Sequence, residues 1–81
     1  MPDLPTPILF AYMVRALVDK PDEVRVESQT TGDRTILRLI VAPMDMSHVV
    51  GIGGRMARCL RIFLMSVSRK EKHSYTLDLV P

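Results

Sequence analysis

Three of the four glycines of this 81-residue chain lie within four positions, at Gly51, Gly53 and Gly54. A segment with the periodicity of an amphipathic helix follows over residues 54–70. Glycine permits a positive φ and lets the backbone approach another molecule without a Cβ clash. Backbone N–H groups at a helix N-terminus attract anions, and Arg55 adds a positive charge there. The bend therefore predicts a phosphate-binding site.

The distribution of charge along the chain supports this prediction, although the net charge is only +2. Residues 1–50 carry five basic and seven acidic side chains, whereas residues 51–73 carry six basic and one acidic. Positive charge is thus concentrated in the glycine bend and the helix after it, which indicates an anionic partner. A solvated helix face would account for the same count.

Length and composition restrict the class of protein. We expect one domain over residues 1–81, with a core from 8 to 80 and an irregular lead-in at 1–6. A single cysteine, Cys59, allows no internal disulfide and no cysteine-rich zinc site. The sequence shows no other metal-binding pattern, and we expect neither a metal nor a cofactor. The apolar run over 8–18 is too short for a bilayer about 30 Å thick and lacks signal-peptide flanks. We expect no membrane segment and a cytoplasmic protein.

Hydrophobic periodicity predicts the element order α-β-β-α-α-β. The predicted elements are a helix over 7–19, strands over 23–29 and 35–42, helices over 46–50 and 54–70, and a last strand over 73–79. The second strand should be central, and the two-helix crossover should make it parallel to the third. The predicted fold class is α+β, a three-stranded mixed sheet with helices packed on one face.

The same pattern predicts roles for individual side chains. Thr6 before Pro7 is a predicted N-cap of the first helix, and Asp45 of the short one. The predicted core face of the first helix comprises Leu9, Phe10, Met13, Ala16 and Leu17. Ile8 and Tyr12 lie away from it, where they would be exposed or would contact a partner. The predicted core face of the long helix comprises Met56, Cys59, Leu60, Phe63, Leu64 and Val67. The opposite side of this helix carries Arg55, Arg58, Arg61 and Arg69. Ile62 and Met65 interrupt the arginine side, which favours a partner there.

These elements carry a family resemblance. With Val41-Ala42-Pro43 ending a strand and Gly51-Ile52-Gly53-Gly54 between two helices, the chain resembles the KH domain in its type II order, over about residues 8–80. Residues 51–54 would be its GxxG loop. Residues 17–24 and 41–43 are also similar to the KhpA family of small stand-alone bacterial KH domains.

The resemblance implies a cytoplasmic RNA-binding protein that acts in post-transcriptional regulation or as an RNA chaperone, with a link to cell elongation and shape. It also implies a homodimer, or a heterodimer with a KhpB-like multi-domain KH protein. A KH domain holds about four nucleotides of single-stranded RNA, with the GxxG backbone against the phosphates.

Site residues follow from this resemblance by position. Val49 or Val50 would help to form an apolar floor for the bases, and His48 would add a hydrogen bond. The predicted RNA-binding residues are His48, Val50, Gly51, Ile52, Gly53, Gly54, Arg55 and Arg58. Arg38 on the second strand ranks behind these residues, because its strand face would point to the open side of the sheet.

The loop departs from the family pattern at Ile52 and Gly53, since a lysine is common at these positions. The departure predicts a low RNA affinity for one copy, or a loop that contacts a protein. Ile52, Ile62 and Met65 are the predicted partner contacts.

The glycine cluster would also fit a tight turn without a ligand. A dinucleotide-binding fingerprint lacks its third spaced glycine and its preceding strand here, and a P-loop lacks its Gly-Lys-Ser/Thr, so neither nucleotide-binding loop is favoured. His48, His73, Cys59 and Asp45 do not combine into a nucleophile, a base and an orienting group, so we expect no enzyme.

Overall fold

The computed structural model describes residues 4–80 and confirms the predicted order α-β-β-α-α-β. The helices are α1 (Thr6–Arg15), α2 (Met46–Val50) and α3 (Arg55–Glu71), and the strands are β1 (Arg25–Thr31), β2 (Arg34–Ile40) and β3 (Ser74–Val80). Short 3-10 turns lie at Pro21–Glu23, Pro43–Asp45 and Ile52–Gly54.

The strands form one mixed sheet in the order β1-β2-β3. β1 pairs antiparallel with β2, setting Glu27 opposite Arg38, and the two strands are joined by a turn at residues 32–33. β2 pairs parallel with β3, with Leu37 opposite Leu77. Both the central position of β2 and its parallel partner confirm the prediction, because a two-helix crossover returns the chain in the same direction.

The core lies between the helices and one face of this sheet. Leu37 and Leu39 of β2 are fully buried there, and they belong to one cluster with Phe10 and Val14 of α1 and Leu64 of α3. Ile36 and Arg38, which alternate with them on β2, lie on the other face of the sheet, which is open to solvent.

Arg38 lies on the open face, between carboxylates of the two neighbouring strands. Its Nη1 is 3.9 Å from Glu27 Oε1, and its Nε is 3.6 Å from Asp78 Oδ2. The guanidinium is therefore paired within the sheet, on the face opposite to the helices.

The face through which the first helix packs overlaps only in part with the predicted one. Its buried residues are Thr6, Phe10, Ala11 and Val14, whereas Leu9 and Met13 are only partly buried and Ala16 is exposed. Phe10 in the core, Leu17 packed against it, and the exposure of Ile8 and Tyr12 were predicted correctly. Periodicity failed elsewhere because apolar residues surround this helix on every side, so they single out no one face.

The boundaries of α1 also differ from the prediction. The helix ends at Arg15 rather than at residue 19, and it begins at Thr6. Thr6 is therefore not the N-cap: its hydroxyl instead donates to Oε2 of Glu71 at 2.8 Å. Of the predicted lead-in, residues 1–3 lie outside the described range, and Leu4 and Pro5 are not helical.

Glu71 joins the start of α1 to the end of α3 and to β3. Its Oε1 accepts a hydrogen bond from the Tyr75 hydroxyl at 2.7 Å, in addition to the bond from Thr6. The bonds from Tyr75 and Thr6 stabilise the carboxylate and so lower the pKa of Glu71. Burial, together with the bond to Glu71, raises the pKa of Tyr75. The carboxylate is thus held in place at the start of β3.

Candidate nucleic-acid interface

Gly51 ends α2 and allows α3 to begin close beside it. Its φ is 77°, in the region that favours glycine, and its N–H donates to the Ser47 carbonyl at 2.8 Å. A Cβ at this position would lie 2.8 Å from the Cβ of Met56. Only glycine therefore permits this junction.

The rest of the loop is a tight 3-10 turn that leads into α3. Gly53 and Gly54 have φ values of 63° and 76°, and a Cβ at either would meet nothing within 4 Å. The N–H of Gly54 donates to the Gly51 carbonyl at 3.2 Å, and that of Arg55 donates to the Ile52 carbonyl. Two N–H groups that we expected to be available to an anion are therefore used inside the turn.

The exposed end of the turn combines an apolar side chain with a helix N-terminus. Ile52 is 88% exposed, the largest value among the large hydrophobic residues described. No side chain caps the N-terminus of α3. The positive end of the helix dipole therefore lies directly behind an open, glycine-lined surface.

Arg55 and Arg58 are exposed on the first turns of α3, as predicted. The ion pairs found among residues 4–80 involve none of the arginines of this helix. Their charges are therefore available to an anionic partner at the side of the loop.

The two valines before the loop differ in exposure. Val49 is fully buried and belongs to the core cluster, whereas Val50 keeps part of its surface exposed. Of the two predicted floor residues, only Val50 therefore has exposed surface.

His48 lies among carboxylates rather than among the arginines. Its Nε2 is 3.3 Å from Asp19 Oδ2 and 4.0 Å from Asp45 Oδ1. These negative charges oppose the approach of a phosphate. The ligand atoms of the three residues lie within 4.8 Å of one another, as a divalent cation would need, but both Asp45 oxygens already accept backbone N–H groups.

Asp45 has a role that the sequence did not reveal. It is fully buried and makes no side-chain cap to α2, contrary to the prediction. Its Oδ1 accepts the N–H of Asp19 at 3.0 Å and its Oδ2 that of Lys20 at 2.9 Å. Asp45 thus fixes the connection between α1 and β1 against the start of α2.

Most of the residues predicted to lie on the exposed side of α3 are exposed. Ile62 and Met65 are 52% and 58% exposed, and they share one side of the helix with Arg58. Cys59 was predicted on the core face but is exposed, and Ala57 is buried instead. Among residues 4–80, no helix has the length and apolar character needed to cross a membrane.

One solved structure shares the fold. This is the crystal structure of an Aquifex aeolicus Era variant bound to GDP.AlF4−, with a TM-score of 0.52 and 16% sequence identity. The alignment covers 95% of this chain but only 31% of that one, so the chain corresponds to about a third of that structure.

Sequence comparison gives closer matches. Proteins named RNA-binding protein KhpA from Treponema pallidum and Halalkalibacterium halodurans are 40% and 38% identical over 72 residues. The alignments cover 89% of this chain and 90% and 95% of those proteins. The protein of the same name from Clostridium acetobutylicum is 38% identical over 73 residues, 89% of this chain and 96% of that one. A family model described as KhpA/KhpB, KH domain, matches residues 9–79, and the chain therefore belongs to this family.

Proposed function

We propose that the chain binds single-stranded RNA through the loop at residues 51–54 and the first turns of α3, and that it acts in post-transcriptional regulation or as an RNA chaperone. The names of its relatives support RNA as the ligand. The observation that carries the proposal is the placement of Arg55 and Arg58, without carboxylate partners among residues 4–80, beside a glycine turn.

The contacts in this mode are mostly to phosphates. The glycines let the RNA backbone come close to the turn, and the positive end of the α3 dipole and the two arginines meet the phosphate oxygens. Val50 offers a small apolar surface to a base. Because phosphate contacts carry no sequence information, we expect weak base preference and strong dependence on salt.

The salt dependence of RNA affinity tests this mode. Each phosphate neutralised on a single strand contributes about 0.7 to the slope of log affinity against log salt. Arg58→Gln is expected to reduce that slope by about 0.7, measured by fluorescence anisotropy with a labelled single-stranded RNA. Arg69→Gln removes the same charge near the other end of α3 and should leave the slope unchanged. Equal slopes for the two variants would contradict a localised site.

Exposed apolar side chains favour a second candidate function, pairing with another copy or with a KhpB-like protein. Ile52, Ile62 and Met65 lie on the loop and on the same helix as the arginines. Single exposed apolar residues are common, but three around one basic surface are what a partner would cover. Pairing of two weak RNA sites would also raise their effective affinity for one strand.

Light scattering at micromolar concentrations tests the homodimer form of this function. If α3 forms the interface, Ile62→Glu should weaken self-association by about tenfold or more, because a charge replaces a central apolar contact. Ile8→Glu on α1 makes the same change at another exposed helical position and should have no effect. A wild-type protein that is monomeric at every concentration would exclude the homodimer.

A further inference from the structure

We infer that the open face of the sheet carries a binding pocket for a nucleoside monophosphate. This face lies opposite to the helices, and a pocket of about 370 Å³ lies on it near the turn between β1 and β2. Such a volume is at the lower end of the range for small-molecule sites, so it fits one small ligand. The residues that line the pocket are Gln29, Thr31, Arg34, Thr35, Ile36 and Thr76.

Strand register arranges most of these residues in two rows across the sheet. In one row Ile36 is paired with Gln29 on one side and with Thr76 on the other. In the next row, closer to the turn, Arg34 is paired with Thr31. Since alternate strand residues share a face, the rows lie about 6.7 Å apart. A nucleotide separates its phosphate from its base by one ribose, which has a similar length, so each row can hold one of these groups.

The row near the turn has the chemistry of a phosphate site. Arg34 is exposed, and the ion pairs found among residues 4–80 do not include it. A guanidinium binds phosphate oxygens through two parallel hydrogen bonds. The hydroxyl of Thr31 beside it is a further donor.

The row of Ile36 has the chemistry of a base site. Ile36 is 44% exposed and offers an apolar surface on which a flat ring can lie. Gln29 and Thr76 flank it at the strand spacing of about 4.8 Å. Because an amide and a hydroxyl each donate and accept, both can bond to the edges of a base.

A third row determines the orientation of the ligand and the choice of base. Beyond Ile36, the Arg38 guanidinium lies 3.9 Å from a Glu27 oxygen and 3.6 Å from an Asp78 oxygen. Two carboxylates outnumber one guanidinium there, so this row repels a phosphate and leaves it to Arg34. The carboxylates can accept a hydrogen bond from the amino group of adenine. Adenosine monophosphate (AMP) is therefore the ligand that matches all three rows.

A free nucleotide fits this face better than a continuous RNA strand. Arg34 is the one charged residue of the pocket lining, so the pocket provides for one phosphate. A strand that continued along β2 would bring its next phosphate to the carboxylates of Glu27 and Asp78, which would repel it.

NMR titration of the full chain with AMP tests the inference. The backbone amide signals of Gln29, Ile36 and Thr76 should shift as AMP binds. Adenosine, which lacks the phosphate, should bind at least about tenfold more weakly, because a charge-assisted hydrogen bond to Arg34 is lost. Inosine monophosphate, which has an acceptor oxygen in place of the amino group, should also bind about tenfold more weakly than AMP.

Two arginine variants test the phosphate site. Arg34→Gln should weaken AMP binding about tenfold and remove most of the difference between AMP and adenosine. Arg25→Gln removes the same charge from the other end of the open face, opposite Ile40 and outside the pocket lining. It should alter AMP binding by less than about twofold.

The double variant Gly53→Asp with Gly54→Asp separates this pocket from the glycine turn, which is the other candidate phosphate site. It should bind AMP with unchanged affinity. Loss of AMP binding in this variant, equal binding of the three ligands, or equal effects of the two arginine variants would overturn the inference. Signals that shift with single-stranded RNA but not with AMP would assign the face to RNA. Signals that shift with protein concentration alone would assign it to a second copy, and either result would also overturn the inference.

Discussion

Replacing Gly53 and Gly54 together by aspartate is expected to weaken binding of single-stranded RNA by about 100-fold or more, with helix and strand content unchanged. Each carboxylate would stand where the proposed mode places a phosphate. Like charges across an interface cost several kcal/mol, and each 1.4 kcal/mol is about tenfold in affinity. A Cβ at either position meets no atom within 4 Å, so the side chains fit without displacing α3.

The choice of glycine decides whether this experiment reports on binding or on folding. Gly51 is unsuitable, because a Cβ there would lie 2.8 Å from the Cβ of Met56 and would disturb the start of α3. Gly32 offers a matched control for Gly53: both have a φ of 63° and open space around the Cβ. Gly32→Asp therefore has the same conformational cost, about 1 kcal/mol, in the turn between β1 and β2.

Fluorescence anisotropy with a labelled single-stranded RNA and circular dichroism give the two measurements. The single variants Gly53→Asp and Gly32→Asp should have similar stability, and only Gly53→Asp should lose RNA affinity. A folded double variant that binds RNA like the parent would show that the loop does not hold the RNA. If Gly32→Asp loses as much RNA affinity as Gly53→Asp, the loss comes from an added charge or from backbone strain at any position, and not from the loop.

Local signals predicted the architecture of this chain and the exposed parts of its candidate site. The run before Pro43 is rich in β-branched residues and became the central strand, and the glycines at 51–54 form the turn between two helices. Exposure of Arg55 and Arg58 followed from the strong amphipathic pattern of α3. In each case neighbouring residues alone carry the information.

Side-chain contacts between residues far apart in the sequence could not be predicted from such local patterns. Thr6 looked like a cap for its own helix but bonds to Glu71, 65 positions away. Asp45 likewise looked like a local cap, although its partners lie 25 and 26 positions earlier. A short polar side chain before a helix has the same local signature in both situations.

Helix faces were predictable only where polar residues mark the solvent side. α1 has a single charged residue, Arg15, and its helical wheel gave only part of the buried face. On α3 the arginines marked the solvent side, yet Cys59 at the border of the apolar face was misplaced while Ala57 was missed. A small side chain gives a weak signal, so packing against neighbouring elements decides such border positions.

Asp45→Ala is expected to lower the free energy of unfolding by about 3 kcal/mol, because two backbone N–H groups would lose their acceptor. Each unsatisfied donor costs about 1–3 kcal/mol, and Asp45 is fully buried while the two donors are partly so. In a domain of this size, 1 kcal/mol shifts the melting temperature by about 4–8 °C. A fall of about 15 °C should therefore appear in thermal unfolding followed by circular dichroism.

Asp19→Ala is the matched control for this effect. The Asp19 side chain is 79% exposed, and its backbone N–H can still donate to Asp45 after the substitution. Its unfolding free energy should therefore change by less than about 0.5 kcal/mol. If Asp45→Ala and Asp19→Ala have the same melting temperature, the two hydrogen bonds make no net contribution to the free energy of unfolding. The connection between α1 and β1 would then be held by its apolar contacts, through Val18 and Val24, with the core.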